Sequence, residues 1–249
     1  MYFLLQLLVP VGLVSLFLYL RKRLRWILIK RYESPLSGNI DILKKYNGEL
    51  VLRTNYFVQG VSIEQSSIRK SYWYAVAQEI LKQSRKKKNP TVLFIGLGAN
   101  TSSLLINNQD TKIHQVIVEI DPLIRDACQE YFKLDELKNA EIIISDIYEQ
   151  LESQKKKWEK QFDSIVIDTF EAKPPYLMHG SHDPAFLNRL LPWLKADGMF
   201  LFNIPVATRG IDVPLLLEYV QNVFTHVQHR VIRDPRGYNN HFITAKTKK

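Results

Sequence analysis

The stretch TVLFIGLGANTSS, residues 91–103, is the first strand-and-glycine-loop pattern in the chain. It begins as a continuous apolar run and ends in a loop that contains Gly96 and Gly98. Further apolar runs follow along the chain: HQVIVEID (114–121), AEIIISDI (140–147), FDSIVIDTF (162–170) and GMFLFNIP (198–205). Helical patterns lie between them, at residues 102–107, 122–132, 147–158 and 184–194. Apolar runs that alternate with helices in this way predict a parallel sheet with helices on both faces.

The C-terminal part of the chain extends this pattern. VPLLLEYVQNVF (213–224) has helical spacing, and HVQHRVI (226–232) and HFITAK (241–246) predict two closing strands. The region before the glycine loop is different. Alternating apolar and polar residues surround Asn47-Gly48 and predict a hairpin with strands at 40–45 and 49–54, with a third short strand at 58–63. A helix is then predicted from about Ile68, with Ser66 or Ser67 as its N-cap.

The first twenty residues, MYFLLQLLVPVGLVSLFLYL, contain no charged side chain, and RKRLRW follows them directly. Their length matches a hydrocarbon core of about 30 Å, so they predict a transmembrane anchor. A cleaved signal peptide and a buried hairpin helix are the alternatives, but the positive charge follows the apolar run instead of preceding it. Arg21, Lys22, Arg23 and Arg25 would keep the downstream domain in the cytoplasm and could contact anionic lipid headgroups.

Composition and charge limit the classes of partner that the chain is expected to bind. The 249-residue chain has a formal net charge of +9, which suits either nucleic acid or an anionic membrane surface. The basic runs at 85–88 and 155–157 have no interleaved aromatic residues, so we expect solvated faces and no nucleic-acid platform. A single cysteine, Cys128, excludes an internal disulfide framework, and its helical position predicts a core residue.

Acidic residues follow consecutive strands of the predicted sheet. In an open α/β sheet, ligands bind in the crevice beyond the carboxyl ends of the strands. The glycines at 96 and 98 would allow close backbone approach to a ligand there, although the third glycine of the dinucleotide pattern is absent. The acids at the following strand ends are Glu119, Asp146, Asp168 and Glu171.

Structural interpretations of these acids stay open. Asp146 would serve equally as the N-cap of the next helix, and Glu119 and Asp121 as loop acids or caps. The segment HGSHD (179–183) offers His and Asp side chains, but its spacing fits no standard zinc pattern, so no metal is expected. No G-x-S-x-G motif is present for a serine nucleophile.

From about residue 34 onward, the chain resembles the spermidine synthases, the polyamine aminopropyltransferases. The motifs that carry the resemblance are SPLSGNIDILKKYNGELVL, the Gln59-Gly60 pair, SYWYAVA (71–77), FIGLGAN, VEIDP, SDIY, IDTFEA and DPRGYNNHFITAK. The resemblance implies a class I methyltransferase fold, a Rossmann-like sheet preceded by a small β-hairpin domain. It also allows a homodimer, because that β-hairpin domain commonly mediates dimers in the family.

The resemblance implies a role for each candidate residue. Gly96, Gly98, Glu119 and Asp146 would hold the nucleoside of decarboxylated S-adenosylmethionine, with Glu119 on the ribose and Asp146 on the adenine amine. Asp168 would be the general base that deprotonates the attacking amine, and Glu171 would help to hold the polyamine. Gln59 would line the donor pocket and Tyr72 the amine pocket. No metal is implied.

Departures from the family pattern define the alternatives. Ala99 stands where the family's G-G-G-D-G-G loop carries the aspartate that contacts the donor's aminopropyl nitrogen. Because this change affects the amino end of the donor, it favours methyl transfer from intact S-adenosylmethionine. Phe170 stands in the family's D-[ST]-[ST]-D motif. If it filled the amine pocket, the domain would be a non-catalytic, membrane-bound nucleoside-binding module.

The sequence therefore predicts an anchor at 1–20, a basic juxtamembrane linker at 21–33, a β-hairpin domain at 34–65 and a spermidine synthase-like domain at 66–249. The activity that the resemblance implies is aminopropyl transfer from decarboxylated S-adenosylmethionine to a small polyamine such as putrescine. The expected location is a single-pass membrane protein with a cytoplasmic domain.

Overall fold

The structure is a computed structural model that describes residues 26–55, 57–169, 183–206 and 212–248. The predicted anchor at 1–20 and the basic cluster that follows it lie outside these ranges. Within the described ranges, none of the helices combines the length and apolar character that a bilayer span requires.

The larger sheet has seven strands: β5 (Thr91–Ile95), β6 (His114–Glu119), β7 (Ala140–Ile144), β8 (Phe162–Ile167), β9 (Leu194–Pro205), β10 (Phe224–Ile232) and β11 (Asn240–Lys248). Their spatial order is β10-β11-β9-β8-β5-β6-β7. The five strands from β7 to β9 are parallel, and β11 and β10 close the sheet in antiparallel register. The chain winds outward from β5 in both directions, so the switch point lies between β5 and β8. The predicted parallel sheet is confirmed.

Helices cover both faces of this sheet. They are α1 (Tyr72–Ser84), α2 (Thr101–Asn107), α3 (Pro122–Tyr131), α4 (Ile147–Ser153), α5 (Pro184–Leu190) and α6 (Val213–Val223). One core contains buried residues of α1, α2 and α3, such as Val76, Ile106 and Ile124. The other contains residues of α4, α5 and α6, such as Leu151, Leu187 and Val220. The apolar strands need this covering because both of their faces are buried.

A smaller antiparallel sheet precedes the large one, with strands in the order β1 (Ile27–Ser34), β2 (Gly38–Lys44), β3 (Leu50–Thr54) and β4 (Phe57–Val61). Its buried residues Ile42 and Leu52 belong to the same core as α1, so the two sheets share one apolar interior. The structure differs from the sequence prediction at residues 27–33, which we assigned to a linker. They form most of β1, because their backbone pairs with β2 along Ile27–Ser34.

The start of α1 also differs from the prediction. Ser66 lies in a 3-10 turn, Ser66–Lys70, and the α-helix begins only at Tyr72. Ser71 is the N-cap, and its hydroxyl accepts a hydrogen bond from the Tyr74 amide at 3.2 Å. The predicted caps Ser66 and Ser67 are therefore wrong. Tyr72 is therefore the first residue of the helix, and its hydroxyl reaches Asp168, which follows β8 of the large sheet.

Candidate active site

A cavity of about 350 Å³ lies at the carboxyl ends of the parallel strands. Its walls come from Gly96 after β5, Glu119 at the end of β6, Asp146 after β7 and Asp168 after β8. Thr54 and Gln59 of the smaller sheet, and Ser37 in the turn between β1 and β2, also line it. The carboxyl ends of parallel strands meet at one edge, which explains why acids far apart in the sequence converge here.

The glycine loop brings backbone close to both walls of the cavity. Gly96 has φ +101°, and a β-carbon there would lie 2.2 Å from the carbonyl oxygen of Asp168. Gly98 has φ +54°, and a β-carbon there would lie 2.5 Å from the carbonyl oxygen of Gln59. Both positions therefore require glycine for conformation and for space. Cys128 supports the loop from below, because its buried thiol donates to the Gly98 carbonyl at 3.0 Å.

Ala99 faces away from the cavity. It is 1% exposed, and a β-carbon built on Gly60 would lie 2.5 Å from the Ala99 β-carbon. The side chain at position 99 therefore packs against β4. No carboxylate reaches the cavity from this position of the loop.

Glu119 is held by backbone donors on both oxygens. Its Oε2 accepts from the Leu97 amide at 2.9 Å and its Oε1 from the Asp121 amide at 2.9 Å. Burial raises the pKa of the Glu119 carboxyl, the two amide bonds act in the opposite direction, and the charge of Asp121 adds to the rise. A fixed acid at this strand end can still accept further hydrogen bonds on its remaining lone pairs.

Asp121 and Asp146 both cap helices, as the structural interpretation predicted. Asp121 accepts from the Leu123 amide at 2.9 Å and from the Ser34 hydroxyl at 2.5 Å, so it also ties β1 to the large sheet. Asp146 accepts from the Tyr148 amide at 2.8 Å. Asp146 nevertheless lines the cavity, whereas Asp121 does not. Capping α4 fixes the position of the Asp146 carboxylate beside the cavity.

Asp168 carries the most specific set of contacts. Its Oδ1 accepts from the Asn203 amide nitrogen at 2.8 Å, and its Oδ2 accepts from the Tyr72 hydroxyl at 3.3 Å. Burial raises the pKa of Asp168 to about 6, against the opposing effect of these two hydrogen bonds. Asn203 lies inside β9 and Tyr72 at the start of α1, so two rigid elements orient one carboxylate.

The structure thus brings Gln59, Gly96, Gly98, Glu119, Asp146 and Asp168 to one cavity. Tyr72 does not line it and acts from behind Asp168. Gln59 donates to the Thr54 hydroxyl at 2.6 Å, which fixes its amide at the cavity wall. Glu171 and Phe170 lie outside the described residues, as do His179 and His182. Among the described residues, no cluster of three or more potential metal ligands is found.

Sequence reasoning missed several residues of the site. Asn203 lies within the apolar strand β9. Its single amide side chain among apolar residues was the signal in the sequence that could have marked it as a site residue. Thr54 belongs to the smaller sheet and Ser37 to the turn between β1 and β2, and only the packing of the two sheets brings them to the cavity. Ile120 is 45% exposed although it is apolar, and it lines the cavity beside Glu119. An exposed apolar side chain in a cavity is suited to the face of an aromatic ligand.

Solved structures share this fold. A spermidine synthase in complex with the transition-state analogue AdoDATO superposes with a TM-score of 0.69 at 20% identity, covering 88% of this chain and 73% of that chain. Human methyltransferase-like protein 13 in complex with SAH superposes with a TM-score of 0.56 at 20% identity, covering 71% of this chain and 82% of that chain. The predicted Rossmann-like methyltransferase fold, preceded by a small antiparallel sheet, is therefore confirmed.

Comparison at the level of sequence is more limited. The eEF1A lysine and N-terminal methyltransferase of Xenopus laevis is 27% identical over 140 residues. That stretch covers 54% of this chain and 20% of the relative, so the match spans about a fifth of the relative's length. No protein-family profile matches the chain.

Proposed function

We propose that this protein is a transferase that moves a carbon group from an adenosyl-sulfonium donor to an amine, with Asp168 as the general base. The observation that carries the proposal is the environment of Asp168. It lines the cavity and is oriented on both oxygens, and its pKa is raised to about 6. A base with a pKa near neutrality is ionised at pH 7 and can still accept a proton effectively.

The charge of the cavity supports a cationic ligand. Glu119, Asp146 and Asp168 line it, and among its described lining residues there is no Lys, Arg or His. A sulfonium donor and a polyamine acceptor are both cations, and each would gain from nearby carboxylates. The apolar side chains Ile120 and Ile147 in the same cavity suit a nucleobase. By the family resemblance, Glu119 would accept from the ribose and Asp146 from the adenine amine.

The leading candidate reaction is aminopropyl transfer from decarboxylated S-adenosylmethionine to a small polyamine. Intact S-adenosylmethionine carries a carboxylate, and no cationic side chain among the described lining residues would pair with it. In the reaction, the amine nitrogen forms a bond to the carbon beside the sulfonium. The carbon–sulfur bond breaks with its electron pair going to sulfur, and Asp168 accepts the proton that the amine loses. Tyr72 and Asn203 keep the carboxylate aligned for that proton transfer.

Methyl transfer from intact S-adenosylmethionine is the second candidate, and Ala99 favours it. Because residue 99 is an alanine, whose buried side chain packs against Gly60, position 99 supplies no carboxylate for the terminal ammonium of a decarboxylated donor. A charge-assisted hydrogen bond of this kind is worth about 1.5–3 kcal/mol. The curated relative with a similar segment is named as a methyltransferase, which is consistent with this candidate.

A product assay separates the two reactions. The protein would be incubated with putrescine and either donor, and the amine products analysed by mass spectrometry. We expect the decarboxylated donor to add one aminopropyl group to putrescine. Addition of a methyl group from the intact donor would instead support the second candidate. If neither donor gives a product with putrescine or with a panel of amines, the transferase proposal fails and a non-catalytic nucleoside-binding module becomes the better account.

We also propose that residues 1–20 anchor the domain to a membrane, with the domain in the cytoplasm. The support is the uncharged apolar segment and the basic residues that follow it. Deletion of residues 1–25 should move the protein from the membrane fraction to the supernatant after centrifugation. Continued sedimentation with membranes after the deletion would contradict a single N-terminal anchor.

A further inference from the structure

Arg236 is a largely buried cation in the loop between β10 and β11. Its side chain is 8% exposed. It forms a two-point contact with Asp234, from Nε to Oδ1 at 2.8 Å and from Nη2 to Oδ2 at 2.5 Å. Its Nη1 also donates to Oε1 of Glu49 at 2.8 Å, and Glu49 is 1% exposed. Arg236 therefore joins the C-terminal strand pair to the β2–β3 hairpin of the smaller sheet.

The same guanidinium lies over aromatic rings. It is 5.5 Å from the centroid of Trp73 and 5.6 Å from that of Tyr238. A guanidinium at this distance from a ring face makes a favourable cation–π contact, which is stronger where water is excluded. Trp73 is 2% exposed, so this contact is made in the protein interior.

Trp73 contacts both Arg236 and Tyr72, and Tyr72 contacts the candidate base Asp168. Its ring centroid is 4.3 Å from that of Tyr72, its neighbour in α1. The Tyr72 hydroxyl donates to Oδ2 of Asp168 at 3.3 Å. A continuous set of contacts therefore runs from Arg236 through Trp73 and Tyr72 to Asp168.

We propose that Arg236 is a positioning residue for Asp168: by clamping Trp73 from behind, it holds the Tyr72 hydroxyl on the carboxylate. The functional meaning of this role rests on the proposed function, in which Asp168 is the general base. Arginine suits the task because its planar fork can satisfy two carboxylates and stack on a ring at once. Lysine, a point charge on a flexible stem, cannot reproduce that geometry.

The charge of Arg236 also favours the hydrogen bond from Tyr72 to Asp168. Burial and the charge of Asp168 raise the pKa of the Tyr72 phenol, and a side-chain hydrogen bond with Trp73 and then the charge of Arg236 oppose that rise. A more acidic phenol is a stronger donor to the carboxylate. Among the described residues, the neutral amide of Asn203 from β9 donates to Asp168, and the other ionisable side chains that line the cavity include the acids Glu119 and Asp146. Weakening the Tyr72 hydrogen bond should therefore raise the pKa of Asp168 further.

The test is an NMR titration of the side-chain carboxyl of Asp168 in the full chain labelled with ¹³C-aspartate. The signal is identified by its loss in Asp168→Asn. The test variants are Arg236→Lys, which keeps the charge, and Trp73→Leu, which removes the ring that lies between Arg236 and Tyr72 without removing an ion pair. Arg31→Lys is the matched control, because Arg31 also contacts an aspartate, Asp41, through two nitrogens in the smaller sheet.

We expect the titration midpoint of Asp168 to rise by at least about half a pH unit in both test variants and to stay unchanged in Arg31→Lys. Equal midpoints in the wild type and in both test variants would overturn the proposal, whatever happens to their thermal stability. A fall of the midpoint in the test variants would also overturn it, because it would mean that Arg236 keeps water out without strengthening the Tyr72 bond. The titration does not depend on catalytic turnover. The proposed function is tested separately, and it fails if Asp168→Asn retains transfer.

Discussion

Asp168 accepts one hydrogen bond on each carboxylate oxygen, from Asn203 at 2.8 Å and from Tyr72 at 3.3 Å. These two donors belong to different elements, β9 and α1, and both act on a carboxylate that burial makes less acidic. The arrangement fixes the position of the Asp168 carboxyl group. Its two hydrogen bonds partly offset the rise in pKa that burial causes, and the group can take up a proton near pH 6. This combination is expected of a general base that acts on a bound amine.

Replacement of Asp168 by Asn should abolish transfer and leave nucleoside binding intact. An amide cannot accept the amine proton, and general-base catalysis typically contributes about 10²–10⁴-fold to a rate. We therefore expect a loss of at least about 100-fold in turnover with little change in methylthioadenosine affinity. Product formation by mass spectrometry and calorimetry on the same preparation measure the two quantities. Wild-type turnover in Asp168→Asn would remove this residue as the base.

The rate should depend on pH through the same group. Because the base must be ionised, kcat/KM is expected to rise as pH increases through about 6, the value to which burial raises the pKa of Asp168. Below that pH the carboxyl is protonated and cannot accept the amine proton. A profile of kcat/KM from pH 5 to 8 tests this expectation. A rate that stays constant across this window would contradict it.

The contribution of Asp168 to the free energy of unfolding should fall as pH rises, whereas kcat/KM should rise. The carboxyl of Asp168 has a pKa of about 6 in the folded protein and an ordinary value of 3.8. Between these values the folded state holds the proton more tightly, so this group's contribution to stability is present below pH 3.8 and is lost as pH rises through 6. One pKa unit corresponds to about 1.4 kcal/mol, so the full effect is about 3 kcal/mol.

Chemical denaturation of the wild type and Asp168→Asn at pH 4 and pH 7 measures this contribution. The free energy of unfolding of the wild type, relative to the variant, should fall by about 2 kcal/mol between the two pH values, because the carboxyl of the unfolded chain is already more than half ionised at pH 4. Other carboxylates titrate in both proteins and cancel in the difference. A relative stability that rises with pH would show that Asp168 is not the buried acid described above.

The sequence predicted the alternation of strands and helices well, because continuous apolar runs and intervening helical spacing are local signals. It also predicted the acids of the cavity, since parallel strands of one sheet end at the same edge. Glu119, Asp146 and Asp168 were found in this way before their geometry was known. Their roles remain predictions.

What the sequence did not predict depends on long-range packing. Residues 27–33 combine apolar and basic side chains and resemble a linker, but β2 supplies a partner that makes them a strand. Asn203 and Arg236 lie far from Asp168 in the chain, and no local pattern connects them to it. The Ser71 cap was missed because a 3-10 turn separates the predicted and the observed start of the helix.

Glu119→Gln should weaken nucleoside binding. The carboxylate accepts from two backbone amides, and an amide group in its place would turn a donor toward one of them. Loss of a charge-assisted hydrogen bond to a ribose hydroxyl reduces the binding free energy by about 1.5–3 kcal/mol, which is about 10- to 100-fold in affinity. The exposed Glu141 on β7 provides the control Glu141→Gln, which should bind normally. Unchanged methylthioadenosine affinity in Glu119→Gln would move the ribose site elsewhere.

Gly98→Ala should lower the melting temperature more than Gly48→Ala. Both glycines have positive φ, so both substitutions carry the cost of left-handed backbone, about 1–2 kcal/mol. Only at Gly98 would the added β-carbon also meet backbone, 2.5 Å from the Gln59 carbonyl, whereas nothing lies within 4 Å at Gly48. Differential scanning fluorimetry of the two variants compares them. Equal melting temperatures would mean that the loop and β4 are not in close contact.

Calorimetric titration of the full chain with decarboxylated S-adenosylmethionine, intact S-adenosylmethionine and methylthioadenosine, each with and without putrescine, would test whether the cavity binds an adenosyl-sulfonium donor. We expect all three nucleosides to bind. The decarboxylated donor should bind more tightly than the intact one, because no cation among the described lining residues would pair with a carboxylate. Tighter binding of the intact donor would favour methyl transfer. Absence of binding by every nucleoside would contradict the account.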